Sequence, residues 1–165
     1  KVDILVTNTY AEFGKPYIEV TEKEWDAAVD FNAKSVFLYC QKVGKQMLKQ
    51  KNGKIINIIS GLAERGLRNS VVACASQGAV RQLSSAIALE WASENVRVNA
   101  IVTGWMDIKE NPELDTASKL DRYIPSKRRG HPRDLAGLLV YLASDCCDYV
   151  TGQAIYMDGG VLAHA

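Results

Sequence analysis

The sequence predicts an α/β fold, a parallel β-sheet of about four strands with helices packed on its faces. Two observations carry this. Short β-branched runs alternate with long helical patterns: Val2 to Asn8, Lys54 to Ser60, Val96 to Thr103 and a weaker one, Ala154 to Asp158. The run Lys54-Ile55-Ile56-Asn57-Ile58-Ile59 is also nearly continuous in apolar residues, as a strand buried on both faces is. Strands separated by helices imply right-handed βαβ crossovers. These bring the strand C-termini to one edge, where open α/β sheets bind ligands.

The helices follow from local signals. Thr21 and Glu24 form a capping box ahead of an apolar stripe at Trp25, Val29, Val36, Cys40, Val43 and Met47. Asn32 falls on the same stripe. A buried carboxamide without partners costs roughly 1–3 kcal/mol, so Asn32 is either tied to backbone in the core or aimed at a site. A second helix is predicted from about Val72 to Ser93. Its first turns are crowded with small residues, Ala73, Cys74, Ala75, Ser76, Gly78 and Ala79, which suit close packing or close approach of a ligand. A third runs from about Pro132 to Ser144. The polar stretch between Trp105 and Arg129, weakly helical from Pro112 to Tyr123, suits a mobile lid over a pocket.

The 165 residues suffice for one domain, spanning 1–165, with a real core. A net charge of +1 favours neither nucleic acid nor an anionic membrane. The basic run Lys127-Arg128-Arg129 reads as a solvated loop or as an anion contact at the mouth of a site. Cys40, Cys74, Cys146 and Cys147 make no C-x-x-C pair, and no metal site is expected. Reduced thiols and the lack of a signal peptide point to the cytoplasm. No apolar run approaches the roughly 20 residues needed to span a bilayer.

Several segments together resemble the short-chain dehydrogenase/reductase family. Gly53 to Ser60 resembles the strand that ends in the family's active-site serine. Val96 to Trp105 resembles the next strand and its Pro-Gly turn, here Thr103-Gly104. Asp134 through Asp145, Tyr149 to Gln153 and Asp158-Gly159-Gly160 resemble the closing helix and strand. The resemblance implies a Rossmann-like sheet with flanking helices, NAD or NADP as cofactor, and a Ser-Tyr-Lys set often joined by an Asn. In that set the tyrosine exchanges a proton with an alcohol or carbonyl. The lysine lowers the tyrosine's pKa, because a phenol near 10 is a poor base at pH 7 without a nearby cation.

Carried over residue by residue, the resemblance puts Ser60 at the serine and Asn32 at the asparagine. The tyrosine position is Ala73 and the lysine position is Gln77. The Asn-Asn-Ala-Gly signature after the first strand reads Thr7-Asn8-Thr9-Tyr10. Asn8, Thr103 and Gly104 are the cofactor-binding candidates. The threonine expected near the nicotinamide amide is Ile108. Neither Cys74, turned about 100° from position 73 along a helix, nor Tyr10 is placed to stand in for the tyrosine from sequence alone. No G-x-x-x-G-x-G turn is present, so the chain is expected to lack the N-terminal nucleotide-binding βαβ units.

Three functions compete. One is a degenerate member that binds no cofactor or turns nothing over, serving as a binding or structural subunit. The second is an NAD(P)-dependent oxidoreductase for an alcohol or carbonyl, with its nucleotide half supplied elsewhere. The third is another chemistry at Ser60, Asn32 and Tyr10. The first strand, normally central, has no neighbour on one edge. A homo-oligomer (dimer or tetramer) or a complex with another chain is therefore expected.

Overall fold

The computed structural model describes residues 1–11, 14–107 and 116–163. Strands β1 (Ile4–Thr7), β2 (Gly53–Ser60), β3 (Val96–Thr103) and β4 (Ala154–Met157) form a parallel sheet in the order β1-β2-β3-β4. The alternation read from sequence explains both its layers. Ile55, Ile59, Val98 and Val102 face one side, packed with Val36, Cys40, Met47 and Val80. Ile56 and Ile101 face the other, against Leu142 and Cys147. β2 is thus covered on both faces, which is why its apolar residues run on without alternating.

Helix α1 (Glu22–Val29) opens with the expected capping box. The Thr21 hydroxyl accepts from the Glu24 N–H, and the Glu24 carboxylate accepts from the Thr21 N–H at 2.8 Å. A π turn (Asp30–Lys34) joins it to α2 (Ser35–Gln50). Val36, Cys40 and Met47 are buried as the stripe predicted, but Trp25 is 38% exposed. The π turn closes i→i+5 bonds and so takes more residues per turn. Buried positions then step by four, through Ala28, Asn32, Val36 and Cys40, and Trp25 is left at the rim.

Helix α3 (Val71–Trp91) lies across the same face as α2, with Val72, Ala73, Ser76, Gln77 and Val80 buried. Helix α4 (Thr116–Tyr123) falls within the stretch read as a lid. Helix α5 (Ala136–Ala143) covers the opposite face, entered through a 3-10 turn over Pro132–Leu135.

Buried polar groups stitch these layers together. The Thr7 hydroxyl donates to Asn57 Oδ1 at 2.7 Å, and Asn57 Nδ2 donates to Ser84 Oγ at 2.8 Å, joining β1, β2 and α3. Lys54, at the start of β2, is 6% exposed and ion-paired with Asp148. Unpaired, that buried ammonium would cost several kcal/mol, on the order given by ion desolvation. At the sheet's margin β1 pairs with β2 alone among the described strands, and Ile4 and Val6 are 47% and 46% exposed.

Candidate functional site

The parallel topology gathers the strand ends at one edge of the sheet. Asn8 follows β1, Ser60 ends β2, Thr103 ends β3 and Asp158 follows β4. With Tyr10, Arg65, Trp105 and several apolar side chains they line a cleft of about 420 Å³. Such a crevice at strand C-termini is where open α/β sheets hold ligands.

Ser60 caps a 3-10 turn over Gly61–Ala63, its Oγ accepting from the Leu62 N–H at 3.2 Å. The hydroxyl proton stays available to a ligand oxygen, because an acceptor contact uses only a lone pair. The Ser60 N–H donates to Gln77 Oε1 at 2.8 Å, and Gln77 Nε2 donates to the Thr9 carbonyl at 3.1 Å. Gln77 is fully buried. Its amide therefore bridges the ends of β1 and β2, a task that needs an acceptor as well as a donor. Ala73, one turn earlier on α3, is 1% exposed and does not line the cleft.

Asn32 takes the backbone-tied alternative. Its Oδ1 accepts from the Ala11 N–H at 2.7 Å and its Nδ2 donates to Ser76 Oγ at 3.0 Å, while its own carbonyl accepts from the Thr9 hydroxyl. It is fully buried and outside the cleft lining. Asn8, Thr103 and Gly104 do line it. The Thr103 hydroxyl donates to the Ile59 carbonyl at 3.2 Å. Gly104 is required by packing, because a Cβ there would sit 2.7 Å from Asp158 Cα. Tyr10 lines the cleft, whereas the Cys74 thiol turns to the Arg65 carbonyl. Ile108 lies outside the described residues.

Sequence reasoning missed three contributors. The Arg65 guanidinium lies 4.7 Å from the Trp105 ring centroid and 5.8 Å from that of Tyr123, and donates to the Tyr123 hydroxyl at 3.0 Å. Trp105 and Tyr123 meet edge to face at 5.7 Å, so the end of α4 docks at the cleft. No spacing in the sequence links positions 65, 105 and 123; only the fold does. Within the basic run Arg128 and Arg129 line a second cleft that shares Trp105, Met106, Leu135 and Asp158 with the first; Arg128 pairs with Asp134, whose carboxyl it holds below the usual range, and Arg129 pairs with Asp121.

A family model described as enoyl-(acyl carrier protein) reductase matches residues 1–162. The chain belongs to the short-chain dehydrogenase/reductase family. It is 42% identical to a 2-dehydro-3-deoxy-D-gluconate 5-dehydrogenase of Dickeya dadantii over 99% of its length and 66% of the relative's. It is 35% identical to a 5-keto-D-gluconate 5-reductase of Escherichia coli, over 98% of this chain and 65% of that one. A gluconate 5-dehydrogenase from Burkholderia cenocepacia, solved with NADP and tartrate, superposes with a TM-score of 0.93 at 29% identity. That match covers 99% of this chain and 66% of the other. The chain thus spans about two thirds of the length of these relatives.

Of the positions by which the family resemblance implies a nicotinamide dinucleotide is held, Asn8, Thr103 and Gly104 line the cleft, and the lysine position differs. The ribose-holding lysine position carries Gln77, uncharged and bound at both ends to backbone.

Proposed function

We propose that this chain keeps the family's ligand cleft but performs no hydride transfer with its own residues, acting as a binding or structural subunit. One observation carries the reading: the tyrosine and lysine positions hold buried Ala73 and a buried Gln77 whose amide is committed to Ser60 and Thr9. Ser60 offers a hydroxyl to a ligand oxygen at the floor of the cleft. Asn32 acts behind it, fixing the segment after β1 on which Tyr10 stands. Without a general acid, proton transfer to a carbonyl loses about 10²–10⁴-fold.

A second reading rests on the relatives. All those named above are dehydrogenases or reductases, and one was solved with NADP. On that reading the chain contributes to an NAD(P)-dependent oxidoreductase for an alcohol or carbonyl. Asn8, Thr103 and Gly104 would then stand beside the cofactor. The deciding measurement is NADH and NADPH oxidation with 5-keto-D-gluconate as acceptor, together with titration of both nucleotides. The subunit reading expects no turnover above background and no gain from Ala73→Tyr with Gln77→Lys. Micromolar nucleotide binding with turnover by the unmodified chain would establish the second reading instead.

We also infer that β1 is covered in the working assembly, by another segment or another copy. An exposed strand edge flanked by apolar Ile4 and Val6 invites pairing. Native mass spectrometry checks this, and a stable monomer with that edge open to exchange would contradict it. No helix among the described residues is long and apolar enough to cross a membrane. We place the protein in the cytoplasm, on the reduced state expected of its thiols.

A further inference from the structure

We propose that the cleft selects a small monocarboxylate bearing hydroxyl groups, and that Arg65 is the residue that recognises its anionic end. The inference rests on the reading of this cleft as a ligand site, but not on whether hydride is transferred there. Among the described residues, Arg65 is the only Lys, Arg or His in the cleft lining, and Asp158 is the only acid. The Asp158 carboxylate is held by backbone N–H groups and is not ion-paired with Arg65. Its Oδ1 accepts from the Gly160 N–H at 2.9 Å and its Oδ2 from the Leu162 N–H at 2.7 Å, so both oxygens serve the turn after β4. Arg65 makes no ion pair among the described residues, whereas neighbouring Glu64 is paired with Arg81.

The geometry suits a carboxylate. A guanidinium carries five N–H donors in a planar fork that matches two carboxylate oxygens. Arg65 lies against the Trp105 ring and spends one donor on the Tyr123 hydroxyl. This shelf fixes the side chain before a ligand arrives and leaves further donors for it. Asn8, Ser60, Thr103 and Tyr10 give the same cleft hydrogen-bonding groups along its length, as a polyhydroxy chain requires.

The test is calorimetric titration of the full chain with D-gluconate, with D-glucitol as its neutral counterpart, and with inorganic phosphate. A charge-assisted hydrogen bond is worth about 10- to 100-fold in affinity, so gluconate is expected to bind tighter than glucitol by roughly that factor. Arg65→Met removes the difference, and Arg65→Lys keeps part of it, because an ammonium supplies the charge without the fork. The wild-type comparison needs no variant, so loss of folding in Arg65→Met leaves the proposal testable. Equal binding of gluconate and glucitol, binding of neither, tighter binding of phosphate, or an unchanged preference in folded Arg65→Met would each overturn it. Turnover of NADPH alongside Arg65-dependent gluconate binding would remove the subunit reading and leave this one standing. Silence in the turnover assay with no gluconate preference would do the reverse.

Discussion

Restoring the family's lysine by Gln77→Lys is expected to destabilise this protein rather than repair it. Gln77 is fully buried, and its amide oxygen is the acceptor for the Ser60 N–H at 2.8 Å. A lysine can still donate to the Thr9 carbonyl but can accept nothing, so the Ser60 N–H is orphaned at about 1–3 kcal/mol. The ammonium must also be desolvated or neutralised. Neutralising a lysine of ordinary pKa, about 10.4, at pH 7 costs roughly 4–5 kcal/mol at 1.36 kcal/mol per unit, which caps the charge penalty. The total at pH 7 is therefore at least the roughly 1–3 kcal/mol of the orphaned N–H and at most about 8 kcal/mol, a large share of a typical domain's stability. The sign of the pH dependence follows. The unfolded chain keeps the proton up to about pH 10.4 while the folded one releases it earlier, so the variant gains stability as pH rises. Urea denaturation followed by circular dichroism at pH 7 and 9.5 measures both effects, with Gln77→Met as the uncharged control. A Gln77→Lys protein as stable as wild type at pH 7 would refute the reasoning, because position 77 would then be a ready-made lysine site.

Two further outcomes test the local chemistry. Glu24 is held at about pKa 2 instead of 4.5, chiefly by the Thr21 N–H and then by Lys15. A folded pKa below the unfolded one gives stability that is present above about 4.5 and lost as pH falls toward 2. The thermal midpoint of Glu24→Gln should therefore lie below wild type at neutral pH and converge with it on acidification. A gap that persists unchanged at pH 2 would count against the capping box. Among the thiols, burial pushes Cys40 up to about 11, while Cys146 is exposed. Only about one Cys40 in a thousand is thiolate at pH 8 on that value. Native alkylation at pH 8 should label Cys146 and spare Cys40 until denaturant is added; equal rates at the two sites would refute the placement.

Much of the fold was legible because it rests on short-range rules. The alternation of apolar runs located the four strands. The doubly buried β2 announced itself through residues 54–59, and the capping box marked the start of α1. Periodicity failed at Trp25, because a π turn at Asp30–Lys34 changes the helical repeat and nothing in the residue types there distinguishes it from ordinary helix. The site was legible where it sits on strand ends: Asn8, Ser60, Thr103 and Gly104 all line the cleft. It was not legible where it depends on side chains far apart in sequence, as Arg65, Trp105 and Tyr123 are.

Asn32 and Gln77 show why residue identity alone leaves the function of a family position open. From the sequence, Asn32 counted as a retained catalytic group and Gln77 as a lost one. In the structure both do the same kind of work. Each uses the two ends of a buried carboxamide to tie the segment after β1 to another element, Asn32 joining Ala11 to Ser76 and Gln77 joining Thr9 to Ser60. An amide serves this purpose well because it donates and accepts at once, and a lysine does not. The exchange at position 77 thus converts a charged site, useful for activating a phenol, into a neutral brace between two strand ends. A brace of this kind keeps the cleft in shape with Ala73 in place of the phenol. On the proposed reading the braced strand ends and the alanine at position 73 go together, which is why ligand binding and turnover are expected to separate in this chain.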